Sequence, residues 1–131
     1  MLTRLTAVLI LCVVLAGAAL SAAGDQVPLL NLVMRQKLEH SKAILGAVVT
    51  SDWAALDRES RALARATQDP AWTALTAPEY LRQSDAFQNA LQQLILASAR
   101  RDLDAAAKAE VALIMSCVDC HRYVGRRRDA Q

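Results

Sequence analysis

Aromatic residues are scarce in this sequence, with one Phe, two Tyr and two Trp in 131 residues. Four Gly and three Pro are few for a β-sandwich or barrel, and no Asn-Gly or Asp-Gly pair offers a hairpin turn. No stretch alternates apolar and polar residues for long, so strands find little support. Neither sign of charge dominates: 15 basic against 13 acidic residues leave +2, which gives no ground for a nucleic-acid partner. Three cysteines are too few for a disulfide-stapled miniprotein. What is plentiful is Ala, Leu and Arg, in a chain 54% hydrophobic and 21% charged. That composition excludes a wholly disordered protein and predicts one domain of packed helices, an all-α fold.

Residues 1–23 read as a secretory signal. Arg4 opens a short basic region, Leu5 to Leu15 form the apolar run, and Ala16 to Ala23 are mostly small, with cleavage expected before Gly24. An uncleaved anchor needs about 20 apolar residues, more than the run supplies. Cys12 leaves with the signal; Leu11 before it is not the small residue that a lipoprotein cysteine requires. The mature domain is then 24–131, exported, and without stable membrane insertion.

Four helical segments follow. Leu30, Val33, Met34, Leu38, Leu45 and Val48 predict a first helix from about Leu29 to Val49, with Pro28 at its start. After the cap cluster Thr50-Ser51-Asp52, the positions Trp53, Leu56, Ser60, Leu63 and Thr67 step by three and four. Gln68 to Thr76 reads as a loop. Thr76-Ala77-Pro78-Glu79 reads as a capping box opening a third helix, with Tyr80, Ser84, Phe87, Leu91, Leu94 and Ser98 turned inward and a stop near Arg100. Asp102 caps a fourth helix, carrying Val111, Leu113, Ile114 and Cys117, to about Tyr123. Short connections between helices of this length predict an antiparallel up-down-up-down four-helix bundle. Several inward positions are Ala or Ser, which leaves the centre short of large side chains.

Cys117-Val118-Asp119-Cys120-His121 is C-x-x-C-H, the attachment sequence of c-type haem, whose vinyl groups take the two thiols and whose iron takes the histidine. Residues three and four apart share one helical face, so all three side chains can address one macrocycle. Competing readings are weaker. A thioredoxin-type pair wants a helix N-terminus in a βαβ setting. Zinc wants four ligands, and the only other histidine, His40, is on another helix.

With this motif on its last helix near the C-terminus, continued as Arg122-Tyr123, the chain resembles the class II cytochromes c, the cytochrome c′ family with its low-spin relatives. The resemblance spans the mature chain. It implies a periplasmic four-helix bundle with covalent haem c, His121 as proximal ligand, a distal side built by the first helix, and either electron transfer or the binding of diatomic gases. Family members often dimerise, which makes a homodimer an expectation here too. The family usually carries a distal Met or Leu four residues after a basic residue of the first helix; here Arg35 plus four is Glu39, so the register departs.

Two residues of that helix remain as occupants of the distal side. Met34 as a thioether ligand predicts a six-coordinate, low-spin electron carrier; Leu38 over the iron predicts a five-coordinate binder of NO or CO. His40 reads as outward-facing. Arg35 and Lys37 either pair with haem propionates or form a solvated basic face, and Arg122 has the same two readings. Arg126-Arg127-Arg128 reads as a frayed tail or as a patch steering an acidic periplasmic redox partner. Glu39 beside His40 does not amount to an acid–base constellation, so the sequence predicts no enzyme.

Overall fold

In the computed structural model of the chain, residues 30–73 and 75–129 are described, 127–129 by their backbone alone. The signal expected over 1–23, with Cys12, lies outside them. The chain divides into two compact units, Met1–Leu32 and Val33–Gln131; the packing that follows belongs to the second. Among the described residues all regular structure is helical: α1 (residues 30–50), α2 (Trp53–Ala66), α3 (Pro70–Thr73), α4 (Pro78–Arg100) and α5 (Leu103–Asp129).

Two connections share one construction. Ser51 and Arg101 are left-handed, at φ 54° and 53°. At the first, the Ser51 N–H donates to Val48 O (3.2 Å) and the Asp52 N–H to Ala47 O (2.9 Å); at the second, Arg101 donates to Ser98 (3.1 Å) and Asp102 to Ala97 (3.0 Å). These are Schellman closures, which satisfy the last carbonyls of the outgoing helix. The next residue caps the incoming one: Asp52 Oδ1 accepts from the Ala55 N–H (2.9 Å) and Asp102 Oδ1 from the Ala105 N–H (3.0 Å). So short a connection turns each helix back along its predecessor. α4 packs against both α2 and α5.

The core joins Val33, Ile44, Ala47 and Val48 of α1, Leu56 and Leu63 of α2, Ala71 and Trp72 of α3, Phe87, Leu91 and Leu94 of α4, and Ala106, Ala109 and Leu113 of α5. On α4 the six expected inward positions are all buried. On α2, Leu56, Ser60, Leu63 and Thr67 are buried as well.

Four expectations need correction. On α1, Leu38 (56%) and Leu45 (47%) are exposed, while Lys37, Ile44 and Ala47 are inside; the helix is apolar on two sides, and the buried side is marked by a lysine. The loop expected over Gln68 to Thr76 contains α3, opened by the Asp69 carboxylate accepting from the Ala71 N–H at 2.8 Å. The Thr76 capping box does not form. Ala77 is the N-cap, without a side-chain bond, Pro78 holds the first turn, and Glu79 accepts instead from Arg82 and Gln83. α5 does not stop near Tyr123 but runs to Asp129, so the backbone of the arginine run is helical rather than frayed. Val111 and Ile114 of that helix are exposed. Among the described residues no helix is long and apolar enough to cross a membrane.

Candidate functional site

Five alanines between 105 and 112 give α5 a strong intrinsic helix preference, and Asp102 caps it. Cys117, Cys120 and His121 therefore stand well inside a regular helix, on neighbouring turns of one face. Both thiols are free and half-buried, and Cys117 packs against the core. His121 is exposed at the edge of that face.

Three of the five aromatic residues gather in one corner formed by α3 and α4. The Trp72 and Phe87 rings are 5.5 Å apart between centroids, those of Trp72 and Tyr80 6.2 Å. Hydrogen bonds fix them: the Trp72 Nε1–H donates to Ser84 Oγ at 2.8 Å, and the Tyr80 hydroxyl to the Trp72 carbonyl at 2.6 Å. Burial, with the Cys120 charge adding to it, pushes the Tyr80 phenol up to about 12.

Into this aromatic corner α1 sends Lys37. The residue is only 7% exposed, and its Nζ lies 4.1 Å from the Trp72 ring centroid and 3.9 Å from that of Phe87. Burial draws its amine below the ordinary lysine value, while Cys117 and Cys120 pull it back up. In the reciprocal sense burial pushes the Cys120 thiol up and Lys37 lowers it. The solvated basic face expected around Lys37 is thus wrong for that residue.

Other expected site residues are placed as follows. Met34 is half-buried and packs against the core. Leu38 lies on the exposed flank of α1. Arg35 is exposed. His40 is half-buried, its Nδ1 2.8 Å from Glu59 Oε2 of α2, so it ties two helices together. Arg122 donates to Asp119 at 2.9 Å on the surface of α5. The sequence reading missed Trp72 and the burial of Lys37. The ladder Val33, Lys37, Ile44, Val48 held the signal for the second, and Trp72 is the one large apolar ring between 68 and 76.

These geometries bear on the competing chemistries. Cys117 and Cys120 stand mid-helix, without the unpaired N–H groups that stabilise a thiolate, and Cys120 is pushed away from its reactive form. Among the described residues no three His, Cys, Asp or Glu side chains gather as a metal-binding set. Covalent haem makes neither demand, since it needs two free thiols, one imidazole and a low-polarity wall. The residues present fit that group. Comparison with protein-family models, characterised proteins and solved structures finds no match to the chain.

Proposed function

We propose that this protein is a periplasmic monohaem c-type cytochrome that transfers electrons. α1, α2, α4 and α5 form an antiparallel four-helix bundle, residues 1–23 are an export signal that is removed, and haem c is held by thioether bonds to Cys117 and Cys120. The observation that carries this reading is the set Cys117, Cys120 and His121 on one face of α5, with Cys117 packed against the core that holds Trp72 and Phe87. Bound there, haem supplies a one-electron iron couple.

The chain's own residues have distinct tasks. Cys117 and Cys120 anchor the macrocycle edge, and His121 offers an imidazole nitrogen from the adjoining turn. Trp72 and Phe87 exclude water, which favours the less charged oxidation state and raises the potential. α1 closes the opposite side with Met34 and Lys37. Exposed Arg126, at the start of the arginine run, stands where an acidic redox partner would be attracted. A five-coordinate binder of NO or CO is the second reading. It would use Leu38 of α1, an exposed apolar side chain, as the cover over the iron. A homodimer would use the exposed apolar flank of α1, where Leu38, Leu45 and Val49 stand.

The test is expression in a host with c-type haem assembly, followed by haem staining after denaturing electrophoresis. Haem that survives denaturation, and is lost when Cys117 and Cys120 are both changed to Ser, is the expected result. A chain that carries no covalent haem, or keeps it in the double variant, overturns the reading.

A further inference from the structure

Only three of the 15 basic side chains are lysines, at 37, 42 and 108; the other twelve are arginines. Lys42 and Lys108 are exposed, and Lys42 pairs with Glu39. Lys37 is the buried cation of the described residues, held between two aromatic faces with no carboxylate beside it. A charge in such a place is costly, and a well-packed core residue would serve stability better. A buried basic position in an arginine-rich chain is also where lysine and arginine differ most. Guanidinium keeps its proton and offers no lone pair, whereas an amine can release a proton to water and donate the freed pair.

Resting on the haem reading above, we infer that Lys37, rather than Met34 or Leu38, supplies the sixth ligand of the haem iron. Haem carries its vinyl groups on one edge and its propionates on the opposite edge. Thioether bonds to Cys117 and Cys120 put the vinyl edge against α5. Lys37 Nζ lies against Trp72 and Phe87, in the core cluster that Cys117 packs on, which would bring it to the inner face of a haem held there rather than to its propionate edge. That placement would offer its amine to the iron in place of the propionate contact expected of it. The aromatic corner of Trp72 and Phe87 receives Nζ itself, at 4.1 and 3.9 Å from the two ring centroids, so α1 delivers the amine and not merely its stem to the interior. Ligation forms one iron–nitrogen bond and sends one proton to bulk water, with no change in oxidation state. The low-polarity surroundings favour that loss of charge, and the drawn-down amine agrees with it.

The experiment uses the full chain, matured with haem, as native protein and as Lys37→Ala, Lys37→Arg and Met34→Leu. Haem stain after denaturation, ferric electron paramagnetic resonance and near-infrared magnetic circular dichroism are recorded on each. The expected result is covalent haem in all four, and a low-spin ferric centre with an amine-type charge-transfer band in the native protein and Met34→Leu. Both Lys37 variants should lose the low-spin signal, including Lys37→Arg, which keeps the charge. A high-spin native protein, a sulfur charge-transfer band, or a low-spin signal that survives both Lys37 changes overturns the inference. If neither Lys37 variant folds, the native charge-transfer band alone decides between nitrogen and sulfur. Absence of covalent haem in the native chain overturns both this inference and the reading beneath it; covalent haem with a Lys37-independent spectrum overturns only this one.

Discussion

The hydroxyl of Tyr80 donates to the backbone carbonyl of Trp72 at 2.6 Å, and this bond ties the four-residue helix α3 to the first turn of α4. With the Trp72 Nε1–H donating to Ser84 Oγ, this bond holds Trp72 against α4, which matters because one turn has almost no stability of its own. Tyr80→Phe keeps the ring and removes the bond, so the expected loss is about 1 kcal/mol. Trp72→Ala also opens the aromatic corner, and should cost about 3–5 kcal/mol. Urea unfolding followed by far-ultraviolet circular dichroism measures both. Equal losses for the two variants would mean that the corner is not packed as described.

A second tie crosses from α1 to α2, where His40 meets Glu59 at 2.8 Å. The His40 hydrogen bond, followed by that from Arg58, holds the Glu59 carboxyl below the ordinary glutamate value. A depressed carboxyl stabilises the fold above its unfolded titration range and loses that contribution as pH falls through the lowered value. Glu59→Gln should therefore cost up to about 1 kcal/mol at neutral pH and little in acid. A double-mutant cycle with His40→Ala, run at neutral and acidic pH, should show a coupling that shrinks with acid. A coupling that does not change with pH would assign the contact to packing alone.

The sequence made α2 and α4 legible because their large apolar residues fall mainly on one side, with Leu81 and Leu96 of α4 as exposed exceptions. Tyr80, Ser84, Phe87, Leu91, Leu94 and Ser98 are all buried at the spacing that singled them out. α1 was harder for a physical reason. Leu38, Leu45 and Val49 follow the same period as the true core line of Val33, Ile44 and Val48, offset by part of a turn, and burial selects between the two lines. Hydropathy also counts Lys37 as polar, although its stem is apolar and its amine lies against two ring faces. The C-x-x-C-H string could be read directly, since its meaning lies in local spacing. Its surroundings could not, because Trp72 reaches the site from what reads as a loop.

The two matched turns give a third prediction. Ser51 and Arg101 hold left-handed conformations that carry a steric cost for residues with a Cβ. Ser51→Gly and Arg101→Gly should each stabilise the chain by about 0.5–1 kcal/mol, less the entropy glycine adds to the unfolded state. Asp52→Ala and Asp102→Ala should each cost about 1 kcal/mol by freeing the Ala55 and Ala105 N–H groups. Thermal unfolding of the four single variants checks the pattern, which is opposite in sign at adjacent residues of each turn. A stabilising Asp→Ala change would show that the caps contribute nothing.

Glu110 has a pH signature of the opposite sense to Glu59. It lies two turns before Cys117 on α5, is 4% exposed, and its Oε2 has no hydrogen-bond partner. Burial pushes the carboxyl up to about 7. The unfolded chain ionises this group near the ordinary value of 4.5, while the folded chain keeps its proton until about 7. Stability is therefore fully present below the unfolded value and is lost as pH rises through the folded one, by about 2–3 kcal/mol in all. Glu110→Gln is neutral at every pH and should remove that decline, leaving the variant more stable than the native chain above neutrality. Denaturant unfolding between acid and mildly alkaline pH measures both curves. Parallel curves would mean that Glu110 meets water or a cation in the folded chain and ionises without penalty.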